Sequence, residues 1–259
     1  MARNLDLNVQ LEELPKSVRF DSLKKLDFTV SNNQNSQENE EELVSKVDLT
    51  STVTSLTREL RYSFTNGMSN VCESYVSTKL KAKFRNIARD GRKNDGQHAV
   101  RVSKYGQSLT GFSFNSENPY HEVFKGKYFV KQGSNRGHII LHFPAFIPME
   151  ALKMPKGATH FKLYNQLVAL SDFEFDEETG YRPVSKNFHG KKSEFYSQML
   201  PILKIPTQAI TAQLSVNNGM GVPDSSGLLL IMGVHFYQYE NCKYQPMSKE
   251  SSLEIIQAY

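Results

Sequence analysis

The chain has 259 residues, no tryptophan and only two cysteines, Cys72 and Cys242. Without tryptophan, any ring-stacking site has to use Tyr, Phe, His or Arg. The two cysteines lie far apart and form no CxxC pair, which argues against a disulfide framework and a zinc site. A single disulfide between them stays open. We therefore predict free thiols in a reducing compartment, with the cytoplasm as the expected location.

Long hydrophobic runs are also missing. The longest, Leu228 to Val234, is far shorter than the roughly 20 apolar residues that a membrane helix needs. The first residues, Met1 to Leu7, lack the apolar core of a secretory signal. We expect no membrane span, which agrees with a cytoplasmic location.

Motifs for catalysis, metals and cofactors are absent from the sequence. It contains neither a phosphate-binding P-loop nor a GxSxG nucleophile turn. His138 and His142 are spaced like helical metal ligands, but their apolar neighbours indicate a strand, where they lie about 13 Å apart. We predict no catalytic residues, no metal site and no cofactor, and expect that the protein is not an enzyme.

A short acidic segment resembles a calcium loop only loosely, because Glu177 stands where such a loop needs glycine. We predict a strand with a solvated acidic face; a weak divalent site, or an acidic patch that docks a basic segment of another subunit, stays open. Its acidic residues are Asp172, Glu174, Asp176, Glu177 and Glu178.

The first third of the chain divides into three parts. Residues 1–30 alternate apolar and polar side chains and predict an extended N-terminal arm. Residues 31–42 contain no apolar side chain and predict a polar, acidic linker. Residues 43–91 carry apolar side chains at steps of three and four, which predicts a helical segment that ends at Gly91. One long helix and two helices broken near Gly67 both fit. The apolar face comprises Leu49, Val53, Leu56, Leu60, Phe64, Met68, Val71, Tyr75, Leu80, Phe84 and Ile87.

Residues 92–259 have the pattern of a β domain. Short alternating segments are separated by Gly, Pro and Asn, and residues 171–184 predict a hairpin. The stretch Gly227 to Tyr239 is apolar on both faces, which indicates a central strand covered on both sides. The fold class we predict is α+β, mainly β: an antiparallel, jelly-roll-like β-sandwich preceded by the arm, the linker and the helical segment. A chain starting near Gly96 is expected to fold alone.

Positive charge is concentrated in one stretch. Residues 79–104 carry nine Lys and Arg against two Asp, whereas residues 1–50 are net acidic. Lys81, Arg85, Arg89 and Arg92 recur at helical steps and can follow a phosphate backbone, although cations are also favoured at a helix C-terminus for structural reasons. The candidate nucleic-acid-binding residues are Lys79, Lys81, Lys83, Arg85, Arg89, Arg92, Lys93, Arg101 and Lys104.

These patterns favour a non-catalytic structural or assembly protein that forms a homo-oligomer through its arm and contacts nucleic acid through the basic segment. By analogy of architecture alone, coat-like and scaffold proteins of phages or mobile elements are organised in this way. One alternative is a protein whose main role is sequence-tolerant nucleic-acid binding. A second is an enzyme with an unrecognised site.

Overall fold

A long strand, β10 (Ser226–Glu240), lies at the centre of the computed structural model, which describes residues 35–95, 99–176 and 178–259. β10 pairs antiparallel with β4 (His160–Ser171) along one edge, and with β11 (Lys243–Pro246) and β12 (Ser252–Ala258) along the other. Two further strands, β7 (Lys192–Tyr196) and β8 (Leu200–Pro201), pair with the outer edge of β4. These six strands form the central sheet.

The central sheet is apolar on both faces. Along β10, Leu229 and Ile231 contribute to one core, whereas Leu230 and Met232 contribute to a second core on the other face. This alternation with period two continues through β4. The prediction of a central strand covered on both sides is confirmed.

Two smaller antiparallel sheets complete the β structure. The strands β2 (Phe129–Gln132), β3 (His138–Phe143) and β9 (Ile210–Ser215) form one of them. The other consists of β1 (Ala99–Val100), β5 (Phe173–Asp176) and β6 (Gly180–Pro183). The pairing of β5 with β6 confirms the predicted hairpin. The left-handed Gly180 (φ 69°) is the first residue of β6, directly after the turn.

Two long helices precede the strands in the part of the chain that the structure describes. The first, α1 (Asn35–Tyr62), is followed by a break at Asn66 (φ 51°) and Gly67 (φ 84°) and by a short 3-10 helix, Met68–Val71. The second is α2 (Val76–Asp95). Of the two predicted alternatives, the structure shows two helices with a break at Gly67. Three single-turn helices follow: α3 (Val102–Tyr105), α4 (Tyr120–Val123) and α5 (Pro148–Ala151).

The helix ends differ from the predicted ones. α1 begins inside the predicted linker, since residues 35–42 are helical; Glu is a good helix former and acidic side chains favour a helix N-terminus. α2 continues past Gly91, where a Cβ atom would lie 2.9 Å from the carbonyl oxygen of Ala99. Gly91 therefore allows close approach of strand β1 instead of ending the helix. The arm, residues 1–30, and residues 31–34 lie outside the described residues.

The helices cover one face of the central sheet. Side chains of α1 and α2 share a core with strand residues; this helix-side core includes Leu56, Phe84, Val168, Ile231 and Ile255. Residues 44–259 form one compact unit, so no boundary after residue 91 is visible in the packing. The packing therefore argues against the expectation that the strands fold without the helices.

The second core lies on the other face of the central sheet and includes side chains from β3 and β9. More of the described residues lie in strands than in helices, and the sheets are antiparallel, so the mainly β, α+β class is confirmed. The jelly-roll-like sandwich stays a prediction. Within the described residues, none of the helices combines the length and the apolar character needed to span a bilayer.

Candidate nucleic-acid interface

Helix α2 has one face fixed in the helix-side core. Val76, Leu80, Phe84 and Ile87 recur at steps of four, four and three, and all four are fully buried. Because an α-helix turns by about 100° per residue, this spacing places them on one stripe. Their burial determines which side chains of α2 face the solvent.

The opposite face of α2 carries four cations, which we name the basic face: Lys81, Arg85, Arg89 and Arg92. The three arginines are exposed and Lys81 is half-buried. At about 1.5 Å per residue the four span about 16 Å of the helix axis. None of them has an ion pair or side-chain hydrogen bond within the described part of the chain. The described residues therefore leave these four charges without a neutralising partner.

Three other cations of the predicted set have intramolecular contacts. The ammonium of Lys79 lies 2.5 Å from a carboxylate oxygen of Glu73. Lys83 donates a hydrogen bond to the Ser108 carbonyl oxygen at 3.1 Å. Lys104 lies over the Tyr105 ring, 5.3 Å from its centroid. These residues can add to the field around α2, but each already has a structural partner.

Arg101 serves the fold and not the basic face. It is half-buried, its Nε atom is inaccessible to solvent, and its charge acts on the carboxyl of Asp172. The side chain of Lys93 lies outside the described residues. The structure thus brings four of the nine predicted residues together on one solvent-facing stripe, whereas the charge of Arg101 acts on Asp172.

The acidic segment does not form one solvated face, because Asp172 is buried. Its carboxylate accepts hydrogen bonds from the Ser103 backbone N–H (2.8 Å) and the Ser103 hydroxyl (2.5 Å), which anchors the start of α3. Burial raises the pKa of Asp172, and the Ser103 hydrogen bonds and the Arg101 charge oppose this rise. Glu174, Asp176 and Glu178 are exposed, and Glu177 is outside the described residues.

Tyr75 was predicted to belong to the apolar face and is instead 75% exposed at the start of α2. Its carbonyl oxygen accepts hydrogen bonds from the N–H groups of Thr78 and Lys79, and Val76 takes the core position. The helical period shifts by one residue here because the 3-10 helix and the turn after it separate α1 from α2.

The histidines and cysteines form neither a metal-binding group nor a disulfide in the described part of the chain. His138 and His142 lie on strand β3, as predicted, and His142 Nδ1 is 3.2 Å from the Thr211 hydroxyl. Among the described residues no group of three or more His, Cys, Asp or Glu is arranged to hold a metal ion. Both cysteines are free, and burial raises the pKa of the Cys72 thiol to about 11. At neutral pH this thiol is protonated, so it is a poor nucleophile.

Comparison with known proteins gives no relative from which a function can be transferred. No family model, no curated protein sequence and no solved structure matches this chain. The basic face of α2 therefore has to be interpreted from its own geometry and charge.

Proposed function

We propose that this protein binds nucleic acid without sequence preference through the basic face of α2. One observation carries this proposal. Lys81, Arg85, Arg89 and Arg92 form a stripe of cations that has no acidic partner among the described residues, on a helix whose other face is fixed in the core. A rigid helix presents these charges at fixed spacing, so little conformational entropy is lost when phosphates bind.

Binding of this kind draws its affinity from counterion release. Each phosphate that a cation neutralises releases condensed ions, which makes the affinity depend steeply on salt. Such contacts position the ligand but carry no base information. We therefore expect all sequences to bind with similar affinity.

Changing the four residues of the basic face together to Gln is expected to lower duplex affinity by at least about 100-fold at about 100 mM salt. The log–log salt slope should become shallower by about 3.6, since each phosphate contact contributes about −0.9. Fluorescence anisotropy with several unrelated duplexes, over a series of salt concentrations, measures both quantities. Circular dichroism should show an unchanged fold, because these side chains point away from the core.

A matched control removes the same charge elsewhere. Lys127, Lys131, Lys156 and Lys204 are exposed and lie outside α2. Their joint change to Gln should leave both the affinity and the salt slope close to those of the native protein. Equal weakening by the two fourfold variants would show that overall charge and not α2 attracts the ligand, and the proposal would be wrong.

We also propose that the protein self-associates as a non-catalytic assembly protein built on a β-sandwich. This proposal is supported by apolar side chains exposed beside one another: Met149 (41%), Leu203 (46%) and Ile205 (65%). The Met149 N–H donates to the Leu203 carbonyl oxygen, so helix α5 lies beside the segment that contains Leu203. Exposed apolar clusters of this kind are common in subunit interfaces.

If these exposed apolar side chains form a subunit contact, Leu203→Ser with Ile205→Ser is expected to lower the mass in solution to that of a monomer. Sedimentation velocity at micromolar concentrations measures this mass, with Lys204→Gln as the control in the same loop. A native protein that is already monomeric would rule out the contact. The proposal of an enzyme with an unrecognised site has no specific observation in its favour among the described residues.

A further inference from the structure

The helix-covered face of the central sheet continues beyond the helices as an exposed aromatic surface. A Cβ atom on Gly67 would lie 3.6 Å from Cε1 of His235, and one on Gly233 would lie 3.3 Å from Cε of Met68. The turn at Gly67 and Met68 therefore covers β10 only as far as position 235. The next two side chains of β10 on this face are Tyr237 and Tyr239.

Neighbouring strands place further rings on the same face. His160 of β4 pairs with Tyr237, and Tyr244 of β11 pairs with Tyr239. The ring centroids of Tyr239 and Tyr244 lie 4.8 Å apart, and that of His160 lies 4.9 Å from Tyr244. We name His160, Tyr237, Tyr239 and Tyr244 the aromatic platform.

The platform is open to solvent and carries positive charge. Tyr239 and Tyr244 are 47% and 46% exposed. Lys162, on the same face of β4, lies 6.0 Å from the centroid of the Tyr237 ring. The Tyr237 hydroxyl lies 3.0 Å from His235 Nδ1, and burial, followed by the Lys162 charge, lowers the pKa of His235 to about 4. His235 is thus neutral at neutral pH, can accept this hydrogen bond and fixes the ring of Tyr237.

The ring orientations indicate the kind of ligand. The planes of His160 and Tyr244 meet at 78°, those of His160 and Tyr239 at 63°, and those of Tyr239 and Tyr244 at 45°. These three rings therefore do not share one plane, which disfavours a flat, stiff polymer such as a polysaccharide. Unpaired bases rotate independently about their backbone, so each base can stack on a different ring.

The platform lies toward the Lys81 end of the basic face. Just before α2, the Glu73 N–H donates to the Phe114 carbonyl, and the Phe114 N–H donates to the Leu253 carbonyl. Leu253 pairs with Gly233. The six steps along β10 from Gly233 to Tyr239 cover about 20 Å of strand. At about 3.4 Å per stacked nucleotide, roughly six nucleotides cover this distance.

We propose that the aromatic platform stacks unpaired bases, so that the ligand of this protein is single-stranded nucleic acid whose backbone continues onto the basic face of α2. The inference rests on the proposed function for its phosphate contacts and adds the ligand class. In a duplex the bases are already stacked inside the helix and cannot reach the rings. The platform therefore distinguishes single strands from duplexes.

The test uses the full chain with Tyr239→Leu and Tyr244→Leu combined. These changes keep apolar packing between β10 and β11 but remove both aromatic rings. Its ligands are a thymidine oligonucleotide of about 15 nucleotides and a duplex of the same length, at about 100 mM salt. Anisotropy is expected to show about 5-fold to 100-fold weaker binding of the single strand. Duplex affinity should not change, and the matched Tyr→Phe double variant should bind both ligands as the native protein does.

Phe129→Leu is a second control, because Phe129 is 60% exposed on β2 in another sheet and its loss should not affect binding. Unchanged single-strand affinity in the double Leu variant would overturn the platform. Two other results of the double Leu variant would also overturn the platform if oligonucleotide affinity stays the same. One is a changed sedimentation mass, and the other is lost binding of a soluble glucan. The basic-face variant separates the two proposals. If the basic-face variant binds the single strand normally while the double Leu variant does not, the platform is supported and the role of α2 is wrong. If only the basic-face variant loses binding, the role of α2 is supported and the platform is wrong.

Discussion

A chain consisting of residues 96–259 is expected not to fold, because it lacks the helices that cover one face of its central sheet. Without α1 and α2, seven strand side chains that are now fully buried would lose their helix neighbours and keep only the cover that residues 99–114 provide. They are Tyr164, Val168, Leu170, Leu229, Ile231, Leu253 and Ile255. At about 1.5–3 kcal/mol for each side chain, the lost burial is about 10–20 kcal/mol. Even as an upper limit, this loss is comparable to the roughly 5–15 kcal/mol by which a typical domain is stable.

Polar contacts add to this loss. Gln166 donates a hydrogen bond to the Ser63 carbonyl oxygen at 2.8 Å, and Glu194 accepts one from the Thr65 hydroxyl at 2.8 Å. Removing residues 63 and 65 takes the Ser63 hydroxyl donor from the buried Gln166 Oε1 atom, whereas Glu194 keeps a hydrogen bond from the Tyr164 hydroxyl. A buried polar group without a partner costs about 1–3 kcal/mol. The helices therefore stabilise the sheet through both apolar and polar contacts.

The matched control is a chain of residues 44–259, which keeps both cores and is expected to unfold cooperatively like the full chain. Circular dichroism over a urea series and the dispersion of amide proton signals distinguish the two chains. A cooperative transition and dispersed signals from residues 96–259 would show that the strands form an independent domain, as the sequence pattern alone suggested.

Elements with a strong local pattern could be predicted from the sequence. The prediction of a central strand at Gly227 to Tyr239 needs only this segment, because apolar residues on both faces of a strand require cover on both sides. The hairpin over residues 171–184 and the helix break at Gly67 also follow from local signals, namely a glycine turn and a left-handed glycine.

Other elements depend on contacts between distant residues. Leu109 to Phe114 alternates like a strand, yet the chain forms a 3-10 helix at Gly106–Leu109, and only Ser113 makes an isolated bridge, to Glu254. Gly91 has the sequence signal of a helix end but is needed for the approach of Ala99. In both cases tertiary packing overrides a local preference.

The candidate site also has one part that local sequence predicts and another that depends on contacts between distant residues. Charge density identified the region around α2, but the sequence could not show that Asp172 and Arg101 are neighbours, or that Arg85 has no ion pair with any residue that the structure describes. The aromatic platform was missed entirely. Tyr237 and Tyr239 extend the alternation of β10 and give a weak signal, whereas His160 joins them only through the register of β4 with β10.

Replacing Gly233 by Ala is expected to destabilise the protein by about 3 kcal/mol, near the upper end for overpacking. Gly233 lies in β10 between β4 and β12, where it pairs with Tyr164 and Leu253. A Cβ atom there would lie 2.4 Å from the Ser252 carbonyl oxygen and 3.2 Å from Leu253 Cδ1. Side chains can rotate away, but the nearest atom belongs to the backbone of β12. Relief therefore requires the two strands to shift apart, which weakens their ladder.

Gly221→Ala supplies the matched control, since a Cβ atom at this exposed position has no neighbour within 4 Å. Its effect should stay within about 0.5 kcal/mol, as for ordinary surface substitutions. For a chain of this size, about 3 kcal/mol corresponds to a fall in Tm of roughly 6–12 °C. Equal Tm values for the two variants would mean that β12 is not held against β10 as closely as the structure shows. Because β12 fills the helix-side core with Leu253 and Ile255, a loosened β12 also weakens the support for α2. We therefore expect Gly233→Ala, but not Gly221→Ala, to reduce the affinity of the basic face near the Tm of the variant.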